Sequence, residues 1–151
     1  MLRSRVFVTV GVLALFATAC TDSPQDSEAG AVLTEPPTVE ILSPTDGAIS
    51  EENEVTIRAA VDAFLVVDKL GEDVNPGEGH LHFYRDVEQI PTDSGQPAVI
   101  DDASKYAAVA DLSYTWTDLE SGTHTFAVQL VSNDHTPLDP PVVAQITMTV
   151  A

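Results

Sequence analysis

The fold is decided by the segment Glu54–Phe64, which reads EVTIRAAVDAF. Apolar residues occupy every second position from Val55 to Ala63, and mostly polar or small residues lie between them. Because side chains alternate across a β-strand, this period of two predicts a strand with one buried face. The next residues, Phe64–Val67, are also apolar, and we expect them to continue the strand around a bulge.

Similar short apolar segments occur on both sides of this strand. Further strands are predicted at Thr38–Leu42, His80–Arg85, Ser113–Thr117, Thr123–Ser132 and Pro141–Val150. Turn residues separate them, and the polar connection Gln89–Lys105 is expected to be a loop or a short helix. The pattern predicts an all-β domain of the immunoglobulin-like type, an antiparallel Greek-key sandwich, with a small β-barrel as the alternative.

The first residues have the features of an export signal. Arg3 and Arg5 precede an apolar run, Val6–Phe16, that is too short to span a bilayer. Small residues at positions 17–19 lead to Cys20, and this stretch resembles a bacterial lipobox. The resemblance implies cleavage after residue 19 and lipidation of Cys20, the only cysteine in the chain. Ordinary secretion with cleavage nearby is the alternative.

The chain therefore divides into three regions. Residues 1–19 are the predicted lipoprotein signal peptide, and residues 20–37 are a flexible acidic tether, rich in residues with little to bury. Residues 38–151 form one domain, near the common size of a single folded unit. A lipid on Cys20 would anchor this domain to a membrane of the cell envelope, facing the periplasm or the exterior.

The charge of the chain restricts its partners. Six basic and 24 acidic residues give a net charge of −18 at pH 7. Such a field argues against nucleic-acid binding and concentrates cations, although solubility or a high-salt habitat also accounts for it. The sequence contains no serine nucleophile elbow, zinc-protease helix motif or phosphate-binding glycine loop. We therefore expect the protein not to be an enzyme.

A His-x-His pair is the best candidate for a site. His80 and His82 share one face of a predicted strand, whereas Leu81 and Phe83 take the other face and are expected in the core. On the strand surface, two imidazoles at this spacing can ligate one transition-metal ion, such as copper or zinc. His-x-His pairs also occur in proteins in hydrogen-bonding roles, so this motif leaves both interpretations open.

The other two histidines have different expectations. His124 is in phase with the core residue Phe126, and we expect it to be a structural corner residue more than a ligand. His135 follows Asp134 in a loop, where it is either a third ligand beside the His-x-His pair or part of an Asx-turn. A strand of this length separates His124 from His135 by about 30 Å. A site containing all four histidines is therefore not expected.

Several short motifs occur together in this domain: Pro44–Gly47 (PTDG), Gly79–His82 (GHLH) followed by Asp86, Gly122–His124 (GTH), and Asp134–Pro137 (DHTP) followed by Pro140–Pro141. In them the chain resembles a family of small exported bacterial and archaeal domains of unknown function. The resemblance implies an immunoglobulin-like fold and no particular activity. Two functions stay open: a non-enzymatic structural or interaction domain on a lipoprotein, or a module that binds copper or zinc through its His-x-His strand.

Overall fold

The computed structural model describes residues 35–151. The predicted signal peptide, Cys20 and most of the predicted tether lie outside the described residues. Within residues 35–151 there are nine β-strands and no α-helix, so the prediction of an all-β domain is confirmed. Accordingly, this part of the chain has no helix of the length and apolarity that crossing a membrane requires.

The strands form two sheets. The first has the antiparallel order β1 (Thr38–Ser43), β3 (Val55–Asp62), β7 (Ser113–Trp116). The second has the order β2 (Ile49–Ser50), β9 (Pro137–Val150), β8 (Gly122–Ser132), β5 (Glu78–Arg85), β4 (Leu65–Val66). One further strand, β6 (Tyr106–Val109), pairs with β5 beyond the end of the short β4.

The core lies where the two sheets meet. The alternation predicted for β3 is confirmed, because Val55, Ile57 and Ala59 are buried while the residues between them are half-buried or exposed. They pack in one cluster with apolar residues of the second sheet, among them Leu81 and Phe83 of β5. Each large apolar side chain buried in this way contributes about 1.5–3 kcal/mol. This packing directs the intervening residues of β5 to the opposite face of the sheet.

The chain changes sheets after β3. The expectation that Phe64–Val67 continues β3 is wrong, because Ala63 adopts a left-handed conformation (φ 53°) and the chain then pairs with β5 as β4. The last strand begins at Pro137, before the predicted start at Pro141. Gln89–Lys105 is an irregular loop without a helix.

Both faces of β5 are buried, which corrects the expectation that its histidines lie on the strand surface. Every residue of β5 from Glu78 to Tyr84 is buried, and His80 and His82 are 0% exposed. The loop between β5 and β6 covers this face, and its residue Ala98 is also completely buried. The neighbouring strand comes so close that a Cβ on Gly79 would lie 2.0 Å from the carbonyl oxygen of Val131, so only glycine fits there.

Candidate metal centre

Three histidine nitrogens meet at one point on the covered face of β5. His80 Nε2 and His82 Nε2 lie 3.1 Å apart, and His135 Nδ1 lies 3.0 Å from each of them. His80 and His82 come from alternate positions of one strand, and His135 comes from the turn between β8 and β9. The structure thus brings together the three residues that were predicted from the sequence as candidate ligands. We call this set the histidine triangle.

Hydrogen bonding cannot satisfy all three sides of the histidine triangle. Each nitrogen either carries a proton or presents a lone pair. With three nitrogens and two states, at least two nitrogens must be in the same state, and two donors or two acceptors at 3.0–3.1 Å repel each other. A cation among three lone pairs removes this conflict, because every nitrogen then acts as a ligand. The geometry is therefore better suited to a bound ion than to a hydrogen-bonded fixture.

The size of the histidine triangle fits a first-row transition metal. A triangle with sides of 3.0–3.1 Å has its centre about 1.8 Å from each corner, whereas a zinc–imidazole bond is about 2.0–2.1 Å long. The three nitrogens could therefore hold such an ion, and three protein ligands would leave a coordination position for a fourth. Imidazole donors favour copper, zinc or nickel over magnesium and calcium, which prefer oxygen.

The ring of His82 is oriented by the loop that covers it. His82 Nδ1 lies 3.0 Å from the carbonyl oxygen of Ala98, which can only accept, so Nδ1 carries the proton and donates it. In the neutral ring, Nε2 is then the bare nitrogen, and it points into the histidine triangle. A backbone carbonyl behind a ligating histidine is the usual arrangement in metal sites, where it fixes the tautomer. No sequence pattern pointed to this role of Ala98.

A second layer of buried polar groups holds this loop in place. Gln129 Nε2 donates to the carbonyl oxygen of Pro91 at 2.9 Å, which fixes the orientation of the amide. Gln129 Oε1 then accepts from the Tyr84 hydroxyl at 2.7 Å. The Tyr84 hydroxyl also lies 2.7 Å from the carbonyl oxygen of Ala98. These contacts connect β5 and β8 to the covering loop. Gln129 is completely buried and Tyr84 almost completely.

Burial keeps two of the candidate ligands neutral. Desolvation, with further repulsion from His135, lowers the pKa of His80 to about 4, although Asp134 raises it in part. Desolvation and the charges of the other two rings lower the pKa of His82 to about 3, against the opposing effect of the Ala98 carbonyl. Neutral imidazole is the form that binds a metal. At neutral pH an ion would therefore not have to displace a proton from either ring.

His135 is held in a strained conformation. Its φ is 68°, in the left-handed region that costs a non-glycine residue about 1–2 kcal/mol. The turn keeps it there: His135 N donates to Ser132 O at 3.0 Å, and the His135 carbonyl accepts from Ala98 N at 2.8 Å. Asp134 caps the turn by accepting from the backbone and hydroxyl of Thr136. The predicted Asx-turn is thus present, and it points the imidazole at the other two rings.

Tyr106, a residue that the sequence did not nominate, also reaches the histidine triangle. Its hydroxyl lies 3.0 Å from His82 Nε2, and its ring packs against the His82 ring with an angle of 89° between the planes. Burial raises the pKa of Tyr106 to about 12. Tyr106 reaches His82 because it pairs with Tyr84 where β6 lies beside β5. The long loop separates these two strands in the sequence, so no local sequence pattern indicates their register.

His124 lies outside the histidine triangle and has both ring nitrogens engaged elsewhere. Nδ1 lies 2.7 Å from an Asp86 carboxylate oxygen, and Nε2 lies 2.8 Å from the carbonyl oxygen of Glu120. Desolvation lowers the pKa of His124, but these two acceptors and the Asp86 charge outweigh it, so the pKa is raised. Asp86 also accepts from the backbone of Thr125. His124 therefore joins the start of β8 to the end of β5.

Comparisons with known proteins add little to this geometry. No known family and no curated protein matches the chain. Among solved structures, the chain is similar to the crystal structure of an engineered protein, with 17% sequence identity and a TM-score of 0.39. The match covers 77% of this chain and spans only 20% of that one, and at this similarity it carries no argument about function. The resemblance to exported domains of unknown function stays a prediction.

Proposed function

We propose that this domain binds one transition-metal ion, copper or zinc, through His80, His82 and His135. The observation that carries the proposal is the histidine triangle, whose three sides cannot all be hydrogen bonds. Two further observations support it: two of the rings are kept neutral by burial, and His135 is held by its turn at a positive φ. Strain of this kind is characteristic of residues whose position serves a function.

The role we infer is storage, transfer or sensing of the ion rather than catalysis. The acidic chain, with a net charge of −18, would raise the local concentration of cations and speed their capture. We further propose that the protein is a lipoprotein anchored through Cys20 in the cell envelope, and that its two sheets form an immunoglobulin-like Greek-key sandwich. A purely structural domain is the competing function, and it predicts no specific uptake of metal.

The test is a calorimetric titration of zinc, and separately of copper, into the protein purified from cells that express it. We expect one ion to bind per chain. The variant His135→Asn removes the Nδ1 ligand while keeping a residue that tolerates a positive φ. Loss of a residue that only orients a ligand weakens metal binding by about 10–100-fold, so loss of the ligand itself should weaken it by about 100-fold or more.

The matched control is His124→Gln, which removes the one histidine outside the histidine triangle. It should bind one ion with the affinity of the wild-type protein. Equal binding by wild-type protein and His135→Asn, or no uptake of either ion, would contradict the proposed function.

A further inference from the structure

Tyr106 brings a phenol oxygen next to the histidine triangle, within 3.0 Å of one of its three nitrogens. Paired residues of antiparallel strands point to the same face, and Tyr106 is the partner of Tyr84, which shares its face of β5 with the histidines. Ala108 is the partner of His82 and is small, so the phenol ring of Tyr106 can lie against the imidazole. The Tyr106 hydroxyl approaches His82 at Nε2, the nitrogen within the histidine triangle, at 3.0 Å.

This separation is the spacing between neighbouring ligands of one ion. The three candidate nitrogens are themselves 3.0–3.1 Å apart. Tyr84, the other phenol near His82, differs in this respect. Its hydroxyl lies 3.2 Å from Nδ1, on the outer side of the imidazole, and contacts Gln129 and Ala98. Of the two phenols, only Tyr106 is on the side where an ion would bind.

Charge balance would favour an anionic fourth ligand for a divalent ion in the histidine triangle, although water also takes that position in three-histidine zinc sites. Three neutral imidazoles leave the full charge of a divalent ion uncompensated, and a buried uncompensated charge is costly. Among residues 35–151, no aspartate, glutamate or cysteine joins the three histidines as a possible ligand. The nearby Asp134 accepts two hydrogen bonds from Thr136 with one carboxylate oxygen. A phenolate at Tyr106 would halve the net charge of the centre, from +2 to +1.

We propose that Tyr106 is the fourth ligand, which makes the centre a three-histidine, one-tyrosine site. The inference rests on the proposed function and adds one ligand to it. As the bond from Oη to the divalent ion forms, the O–H bond breaks and the proton leaves to solvent. The oxidation state of the ion does not change. The partner of this site is therefore a divalent ion that accepts phenolate as well as imidazole, for which copper(II) is the best probe.

The experiment is absorption and resonance Raman spectroscopy of the protein loaded with copper(II) alone. A bound phenolate gives an intense phenolate-to-copper charge-transfer band in the visible region, and excitation in that band enhances the ring vibrations of the phenolate. We expect both signals in the wild-type protein. The chain has three tyrosines, so three variants account for every phenol. Tyr106→Phe removes a ligand, so it should lose both signals and bind copper through the three histidines alone, about 100-fold or more weakly. Tyr114→Phe is the matched control and should keep both signals. Tyr84 holds the loop that covers His82, so Tyr84→Phe should bind copper more weakly and still show the phenolate vibrations once loaded.

The outcomes separate the two proposals. Copper bound by the wild-type protein without phenolate vibrations would overturn the role of Tyr106 and leave a three-histidine site. A charge-transfer band that survives in Tyr106→Phe would overturn it as well. Uptake of neither copper nor zinc would overturn the proposed function together with this inference. Even where a variant fails to fold, the wild-type Raman spectrum decides whether a phenolate is a ligand, because growth on ring-deuterated tyrosine must then shift the enhanced vibrations. Tyr106 is the one phenol of the three within hydrogen-bond distance of the nitrogens of the histidine triangle.

Discussion

The hydroxyl of Tyr84 offers a sharp test of the buried polar layer behind the candidate metal centre. Tyr84→Phe removes the only donor within hydrogen-bond distance of Gln129 Oε1 among the described residues. The amide cannot turn to find another, because its Nε2 donates to the Pro91 carbonyl. Gln129 is 0% exposed, so Oε1 is left buried and unpaired. An orphaned buried acceptor costs about 1–3 kcal/mol, and we expect the free energy of unfolding to fall by that amount.

A double-mutant cycle isolates this cause. In Gln129→Leu the Tyr84 hydroxyl can still donate to the Ala98 carbonyl, which lies 2.7 Å away. On that background Tyr84→Phe orphans no amide oxygen, so its cost should drop below about 1 kcal/mol. Urea unfolding followed by fluorescence is the assay, because the chain has a single tryptophan, Trp116, and it is buried. A cost below about 0.5 kcal/mol for Tyr84→Phe, or the same cost on both backgrounds, would show that the loss of the hydroxyl does not orphan the Gln129 oxygen.

Two further predictions concern the backbone and the pH dependence. Gly79→Ala would place a Cβ 2.0 Å from the Val131 carbonyl oxygen, so the strands must separate. We expect the free energy of unfolding, measured in urea, to fall by about 3 kcal/mol or more. The control Gly95→Ala should lower it by about 1–2 kcal/mol, because there the only obstacle is a φ of 78°. Equal costs would contradict the clash. The pKa of His124 is raised in the folded protein, so its pairing stabilises the fold fully below the unfolded pKa of about 6.5 and is lost as pH rises through the higher folded value. Asp86→Asn should therefore lower unfolding free energy at pH 6 by no more than about 1 kcal/mol, because the Asp86 side chain is 36% exposed, and by less at pH 9. A difference between wild type and variant that does not change with pH would contradict this assignment.

The sequence was informative where the determinant of structure is local. The period of two in β3 predicted its burial, and the alternation in β5 correctly separated the histidines from Leu81 and Phe83. The short strands β4 and β6 could not be found in this way. Each is defined by its partner, β5, rather than by a pattern of its own.

The candidate site was predictable only in part, for the same reason. The spacing of His80 and His82 on one strand placed them on one face, whereas their complete burial depends on a loop that folds back from residues 86–105. Ala98 and Tyr106 reach His82 only because this loop folds back onto β5, and neither residue type by itself indicates a metal site. His135 was a candidate because of its loop, but its direction depends on a backbone angle that the sequence does not reveal.

The pairing of β5 with β8 has a consequence for how the protein reaches its native state. His80 lies opposite Val131 and His82 opposite Gln129, close to the turn that carries His135. A slip of one residue would turn every side chain of β5 to the other face, so that Leu81 and Phe83 would take the place of the histidines. An ion held by all three histidines would stabilise only the correctly aligned chain, because no misaligned chain forms the complete ligand set. Metal supply during folding would then select the correct strand alignment.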